Sequence, residues 1–105
     1  MIDEDGAVVA TGTAEYGFDI PQPRWSEQDP GLWWDGTIAA IQSALASARI
    51  DGSDVAALGL AGQMHGLVLL DADGAVLRPA ILWNDQRTAE ACDEIRAAVG
   101  PQRLI

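Results

Sequence analysis

The segment Gly62–Gly66 brings together residue types that can bind a polyhydroxylated molecule. It contains Gln63, Met64 and His65, the single histidine of the chain. Gln63 and His65 can each donate and accept hydrogen bonds, Met64 offers an adaptable apolar wall, and the flanking glycines let a backbone approach a ligand closely. The spacing fits neither a Walker phosphate loop nor a dinucleotide loop. The pattern indicates a site for hydroxyl groups; the alternative is a tight turn in which a backbone carbonyl satisfies His65.

A second polar stretch, Trp83–Arg87, follows another apolar run. Trp83 can stack on the face of a sugar ring, and Asn84 can bridge hydroxyl groups. Asp85 and Arg87 are spaced to form a bidentate ion pair that fixes the turn. The alternative interpretation places Trp83 in the core and makes Asp85 the cap of the following helix.

The other candidate groups are weaker. Trp25, Trp33 and Trp34 can line a pocket, but the favoured interpretation packs Trp34 in the core and uses Trp25 to staple a loop. Asp3–Gly6 and Asp71–Gly74 resemble the start of a calcium loop but lack its later ligands, so no metal site is predicted. No serine or cysteine stands in a nucleophile motif, and no catalytic residue is predicted.

Both polar segments follow predicted strands, and ligands bind at the carboxyl ends of strands in open α/β sheets. The all-apolar run Val55–Ala61 predicts a strand buried on both faces, and Ala80–Trp83 predicts another strand. One helix begins after Asp29 and fades near Arg49, and a second spans Thr88–Val99.

The remaining elements complete an α/β layer with a mixed sheet and flanking helices. Asp-Gly pairs predict two hairpin turns, at Asp5 and at Asp73. The first is followed by a long strand over Ala7–Tyr16, and Pro21–Asp29 is predicted to be a loop. In the first helix the apolar spacing predicts one buried face, beside which alanines allow close packing; that face comprises Trp34, Ile38, Ile41 and Leu45.

Composition excludes several classes of partner. The 105 residues carry 16 acidic and 6 basic side chains and a net charge of -10, which argues against nucleic acid and against an anionic membrane surface. Cys92, the lone cysteine, cannot form an internal disulfide and fits a reducing compartment. The acidic start MIDEDG is unlike a signal peptide. We therefore expect a cytoplasmic protein.

Three stretches, WSEQDPGLWW, LGLAGQMHGLVLLD and LRPAILWNDQRTAEAC, together resemble the amino-terminal domain of the FGGY family of carbohydrate kinases, and within it the xylulose kinases. The resemblance runs from about Asp5 to Val99. It implies a ribonuclease H-like, actin-like ATPase fold and transfer of the γ-phosphoryl group of ATP to a hydroxyl of D-xylulose, with Mg²⁺. It also implies that Met64 and His65, with Trp83 and Asn84 lining the same cleft, contact the sugar; glycerol-type kinases carry an Arg-Glu pair at the Met-His positions.

The departures from the family lead to further expectations. The family begins with a strand and a Gly-Thr-rich phosphate loop that this chain lacks, and its catalytic aspartate and ATP-binding domain lie beyond residue 105. We expect residues 1–105 to be a partial amino-terminal domain, truncated at both ends and lacking the first strands. We expect no kinase activity from the chain alone and no tight binding of ATP or Mg²⁺. An exposed edge at Ala7–Tyr16 predicts a homodimer; the alternative function is a degenerate sugar-binding or strand-pairing module without catalysis.

Overall fold

The computed structural model describes residues 1–104, which form two compact units. One unit comprises Met1–Gly17 and Asp29–Met64, and the other comprises Phe18–Gln28 and the described residues from His65 onward. Both contain a helix and antiparallel backbone pairing, so the predicted α/β class is confirmed. In residues 1–104 no helix has the combined length and apolar character needed to cross a membrane.

The helix of the first unit, α1, spans Pro30–Ala48 and begins as predicted. The Asp29 carboxylate accepts a hydrogen bond from the Gly31 N–H at 2.8 Å, and Pro30 occupies the first turn, where its missing N–H costs nothing. The helix ends at Arg49, whose φ of 56° is left-handed and whose N–H donates to the Ala46 carbonyl. Local capping chemistry was therefore sufficient to predict both ends of this helix.

The packed face of α1 is not the predicted one. Trp34 is 69% exposed, and Ile38 and Ile41 are exposed as well. The helix instead packs its small residues, because these let an extended backbone approach closely: a Cβ on Gly12 would lie 1.9 Å from the Ala40 carbonyl oxygen, and Ala44 is buried. The prediction that alanines allow close packing is confirmed, whereas the predicted large apolar face and the core position of Trp34 are wrong.

The first hairpin forms around Asp3–Gly6, as predicted. An antiparallel bridge joins Ile2 to Val8, and the Asp3 carboxylate accepts hydrogen bonds from the N–H groups of Asp5 and Ala7. Gly6 has a φ of 80°, which favours glycine. The predicted strand over Ala7–Tyr16 is wrong beyond this bridge, because the rest of that segment is extended without a ladder and packs against α1.

The apolar run 55–61 does not form the predicted buried strand. Its residues have no regular secondary structure and are exposed, and Leu60 is 89% exposed. Within the part of the chain that the structure describes, residues 56–61 have no backbone hydrogen-bond partner. A strand requires a neighbouring strand as well as apolar side chains, and the apolar composition alone therefore gave a wrong prediction.

The second unit is built on an antiparallel pair, β1 at Glu27–Gln28 and β2 at Ala80–Ile81. Bridges from Asp19 to Glu27 and from Leu67 to Ile81 extend this pair. The predicted loop Pro21–Asp29 is thus corrected, since it contains β1. Every pairing in residues 1–104 is antiparallel, so this part of the predicted mixed sheet is a two-stranded antiparallel sheet.

The rest of the second unit follows the sequence signals. A hairpin turn at Asp71–Gly74 repeats the first one, with the Asp71 carboxylate accepting from the N–H groups of Asp73 and Ala75. The helix α2 spans Ala89–Val99 after Thr88, and Gly100, with a φ of 84°, ends it. The predicted second hairpin and second helix are therefore confirmed.

Candidate functional site

The second unit holds a cluster of four charged side chains, Glu27, Arg78, Asp85 and Arg87, here called the ion cluster. The Asp85 carboxylate accepts hydrogen bonds from Arg87 Nε at 2.9 Å and from Arg87 Nη2 at 2.6 Å. It also accepts from the backbone N–H groups of Ser26, at 2.7 Å, and of Arg87, at 2.9 Å. The predicted bidentate pair is confirmed. Asp85 does not cap α2, because Thr88 takes that position.

Arg87 joins three parts of this unit. Its Nη1 donates to Glu27 Oε1 at 2.7 Å, and its guanidinium carbon lies 3.7 Å from the centre of the Trp25 ring. Glu27 accepts a second hydrogen bond from Arg78. The side chains of Asp85, Glu27 and Arg87 are 2%, 11% and 13% exposed, so these three are largely removed from water, whereas Arg78 is 40% exposed. The expectation that Trp25 staples its loop is confirmed, and Arg87 is the group that it holds.

The electrostatics of the ion cluster favour its charged form. Hydrogen bonds from the Arg87 guanidinium, more than any other contact, hold the pKa of the Asp85 carboxyl well below its ordinary value of 3.8, and they outweigh the opposing effect of burial. The same pair raises the pKa of Arg87. Both groups therefore remain ionised, and their role is structural and electrostatic, not transfer of a proton.

The turn that carries Trp83 and Asn84 is next to the ion cluster and is held by backbone hydrogen bonds. The Leu82 N–H donates to the Ser26 carbonyl at 3.0 Å, the Asp85 N–H closes the turn to Leu82 at 3.1 Å, and the Gln86 N–H donates to the Arg24 carbonyl at 2.8 Å. Trp83 is 64% exposed, so the alternative that placed it in the core is wrong. The turn therefore holds a large aromatic ring in contact with water.

Asn84 lines an open cleft of about 370 Å³ within the second unit. Its lining is mixed aromatic and polar, and the other residues are Phe18, Ile20, Arg24, Trp25, Ser26 and Gln86. Arg24 adopts a left-handed φ of 72° at this cleft, a conformation that is costly for a residue other than glycine and is enriched at functional sites. An aromatic wall with amide groups is suited to a small polar ligand.

The segment of the lone histidine contains the point along the chain where one unit ends and the other begins. Gln63 and Met64 end the first unit and His65 begins the second, and all three are exposed. His65 itself adopts a left-handed φ of 66°, in a turn, whereas the φ angles of Gly62 and Gly66 are ordinary. The unusual backbone is thus at the imidazole and not at the glycines. A strained exposed histidine is a candidate binding residue, and its role stays a prediction, as do those of Gln63, Met64, Trp83 and Asn84.

Sequence reasoning missed three members of this region: Ser26, Glu27 and Arg78. Glu27 lies in the predicted loop, although an acidic residue two positions after Trp25 and ahead of a helix cap is a signal for a buried pair. Ser26 is buried, and its hydroxyl oxygen has no hydrogen-bond partner in the structure. The partner of Glu27 is 60 residues away in the chain, and no local pattern encodes such a separation.

A metal site does not fit the described residues. No group of three or more histidine, cysteine, aspartate or glutamate side chains in residues 1–104 is arranged to hold an ion. The two buried carboxylates, Glu27 and Asp85, already accept hydrogen bonds from arginines.

Comparison with known proteins gives one consistent family. The chain is 48% identical over 105 residues to the xylulose kinase of Escherichia coli (strain K12). The crystal structure of a "xyloylose" kinase from Brucella ovis matches 92% of the chain with a TM-score of 0.85 and 42% identity. That of xylulose kinase from Rhodospirillum rubrum matches 83% with a TM-score of 0.70 and 36% identity.

These likenesses confirm the predicted ribonuclease H-like, actin-like ATPase fold class. The chain covers 21% of the Escherichia coli protein and 20% of the Brucella ovis chain, so it spans about a fifth of the length of these relatives. Residues 1–105 match the amino-terminal domain of the FGGY family of carbohydrate kinases over their whole length. This chain belongs to the FGGY family of carbohydrate kinases.

Proposed function

We propose that residues 1–105 form part of the sugar-binding domain of an ATP-dependent kinase that phosphorylates D-xylulose. The observation that carries the proposal is the 48% identity to a xylulose kinase along the entire chain. The Met64-His65 pair supports the choice of sugar, because the glycerol-type kinases of the family resemblance have an Arg-Glu pair there. We further propose that the chain is a partial domain and that the rest of the kinase supplies catalysis.

In this proposal five residues contact the sugar: Gln63, Met64, His65, Trp83 and Asn84. The imidazole of His65 and the amides of Gln63 and Asn84 donate and accept hydrogen bonds with the hydroxyls. The exposed indole of Trp83 covers an apolar ring or chain face, and Met64 adapts to the carbon skeleton. These groups orient the substrate, and none of them acts as the base.

ATP and Mg²⁺ belong to the proposed reaction but not to this chain. Transfer forms a bond between a sugar oxygen and the γ-phosphorus while the bond from that phosphorus to ADP breaks, and Mg²⁺ neutralises the charge that develops. The hydroxyl proton goes to a carboxylate outside residues 1–105. Since the chain spans only about a fifth of the length of its relatives, we expect the chain alone to bind neither ATP nor Mg²⁺ tightly and to have no kinase activity.

A hybrid enzyme tests the proposal. The matching segment of the Escherichia coli xylulose kinase is replaced by this chain, and ATP-dependent phosphorylation of D-xylulose and of glycerol is measured. We expect turnover of D-xylulose in clear preference to glycerol. His65→Ala should raise the KM for D-xylulose about tenfold, the effect of one lost hydrogen bond.

Arg96→Ala is the matched control, because Arg96 forms only an exposed ion pair with Asp93 on α2. It should leave the KM unchanged. A folded hybrid that phosphorylates glycerol and not D-xylulose would overturn the choice of sugar. Turnover of D-xylulose by the isolated 105-residue chain would overturn the proposal that the rest of the kinase supplies catalysis.

A second candidate function is pairing with another chain, which the exposed apolar side chains of the first unit favour. Val8, which pairs with Ile2, is exposed in the segment Ala7–Tyr16, and so are the leucines at 58 and 60. We propose that this segment forms a homodimer by backbone pairing. Sedimentation velocity that shows only monomer at high concentration would refute it.

The proposed setting is cytoplasmic. ATP is available there, and the single cysteine, Cys92, is free and exposed, which is tolerated best in a reducing compartment. Fractionation of cells expressing the native gene tests this assignment, and recovery outside the cytoplasm would reject it.

A further inference from the structure

The turn at residues 82–85 has little packing of its own. Trp83, its largest side chain, is mostly exposed, so burial of that ring cannot fix its place. The turn is instead tied to residues 24–26 through backbone hydrogen bonds on either side of it, from Leu82 and from Gln86. A third tie is the Asp85 carboxylate, which accepts from the Ser26 N–H at 2.7 Å.

Arg87 links the Asp85 carboxylate, which makes the third of these contacts, to Glu27. One guanidinium reaches Asp85 through two nitrogens and Glu27 through the third, and it stacks on Trp25. Asp85 follows the turn directly, whereas Glu27 lies on β1. A planar five-donor fork can satisfy two carboxylates and an aromatic face at once, and a lysine ammonium cannot. The geometry therefore uses a property that only arginine has.

We propose that Arg87 is a positioning residue for the sugar site: by joining Asp85 to Glu27 it holds the Leu82–Asp85 turn against β1 and so sets the places of Trp83 and Asn84. The part of this inference that concerns the sugar rests on the proposed function. The part that concerns the turn does not, because it follows from contacts within the second unit alone. An ion pair that only stabilised the unit would change the free energy of unfolding without changing the order of the Trp83 ring.

Fluorine NMR on the 105-residue chain separates these two roles. The chain has four tryptophans, which 5-fluorotryptophan labels individually and Trp→Phe variants assign. Trp33 and Trp34 lie on α1 in the first unit, so their lines are an internal control. We expect one sharp Trp83 line in the parent chain. In Arg87→Ala and in Arg87→Lys it should broaden or split while the Trp33 and Trp34 lines stay sharp.

Arg96→Ala is the matched control for removal of an arginine from the same unit and should leave all four lines unchanged. An unchanged Trp83 line in a folded Arg87→Ala variant overturns the proposal. If that variant unfolds, Glu27→Gln decides, because it keeps the Asp85 pair and weakens the contacts of Glu27, on β1, with Arg87 and Arg78. A broadened Trp83 line in Glu27→Gln supports the proposal, and a sharp, unshifted one overturns it.

Addition of D-xylulose to the same samples tests the consequence for binding. We expect the sugar to shift the Trp83 line of the parent chain, and the midpoint of the titration to rise about tenfold or more in Arg87→Lys. If the parent line does not respond to the sugar, the proposed contact of Trp83 with sugar fails, and the line shapes without sugar still decide the role of Arg87. An equal midpoint in parent and Arg87→Lys would overturn the positioning role for the sugar.

Discussion

Two regions of this chain have structures opposite to what their composition indicates. The run 55–61 is almost wholly apolar, yet it is exposed and has no regular secondary structure, and within the described residues 56–61 have no backbone hydrogen-bond partner. The segment 24–28, with a serine, a glutamate and an arginine, reads as a polar loop, yet it contains β1 and two of the most buried side chains, Ser26 and Glu27. Residues 55–61 are the more hydrophobic segment, whereas residues 24–28 are held by hydrogen bonds and ion pairs.

The comparison shows that ion-pair and hydrogen-bond partners, and not the polarity of the side chains, decide which segment is fixed in the fold. Glu27 is buried because Arg87 and Arg78 neutralise it and because Asp19 pairs with its backbone N–H and carbonyl groups. Burial of a charge costs several kcal/mol without such partners. Residues 56–61 of the apolar run have no backbone hydrogen-bond partner in the described part of the chain, and exposed N–H and C=O groups are satisfied by water at no loss. Four experiments test this comparison.

Removal of Asp85 should have the largest effect. Asp85→Ala deletes the acceptor of two backbone N–H groups and leaves the Arg87 guanidinium without its main partner. The free energy of unfolding should fall by about 3 kcal/mol, as measured by urea titration of the 105-residue chain. A loss below about 0.5 kcal/mol would mean that the ion cluster does not hold the second unit.

A matched pair of alanines compares the two regions directly. Ala80 in β2 is 0% exposed, whereas Ala57 in the apolar run is exposed. Ala80→Leu should therefore destabilise the chain by about 2 kcal/mol through overpacking, and Ala57→Leu should change stability by less than about 0.5 kcal/mol. Equal effects of the two variants in urea unfolding would contradict the expected difference between the buried Ala80 and the exposed Ala57.

Acid should weaken the second unit through the same carboxylate. The pKa of Asp85 is lower in the folded chain than in the unfolded chain, so the unfolded chain takes up the proton first. Asp85 thus stabilises the fold above about pH 4, and this contribution is lost progressively as the pH falls below 3.8. Urea unfolding at several pH values should show a smaller acid loss in Asp85→Asn than in the parent chain. The same slope in both would assign the acid sensitivity to other groups.

The smallest effect is expected at Leu60. Because its side chain is already in water in this structure, Leu60→Ser should change the free energy of unfolding by less than about 0.5 kcal/mol. Differential scanning calorimetry checks this. A loss of more than about 1 kcal/mol would show that the run is buried in solution, and the comparison between the two regions would then fail.

Part of the candidate site was readable from the sequence. The spacing of Asp85 and Arg87 is local, and an aspartate two residues before an arginine can close a bidentate pair within one turn. The Asp-Gly pairs of the two hairpins likewise predict a left-handed glycine in each turn. The left-handed φ of His65 could not be predicted from the sequence, because a positive φ is uncommon at any residue other than glycine.

The sequence alone determined the features that depend on neighbours a few residues apart. These are the capped start of α1 at Asp29, its end at Arg49, the end of α2 at Gly100, both hairpin turns and the family motifs. Each is a contact of short range along the chain, so the residues present at that point suffice to specify it.

Only the tertiary structure decided which groups are buried together. It selected the small face of α1 over its large apolar face, paired β1 with β2, and brought Glu27 to Arg87 across 60 residues. These choices compare the free energies of alternative partners distant in the sequence, and a one-dimensional pattern does not contain those partners' positions. The place of Trp83, exposed on a turn that buried charges hold, follows from that long-range pairing.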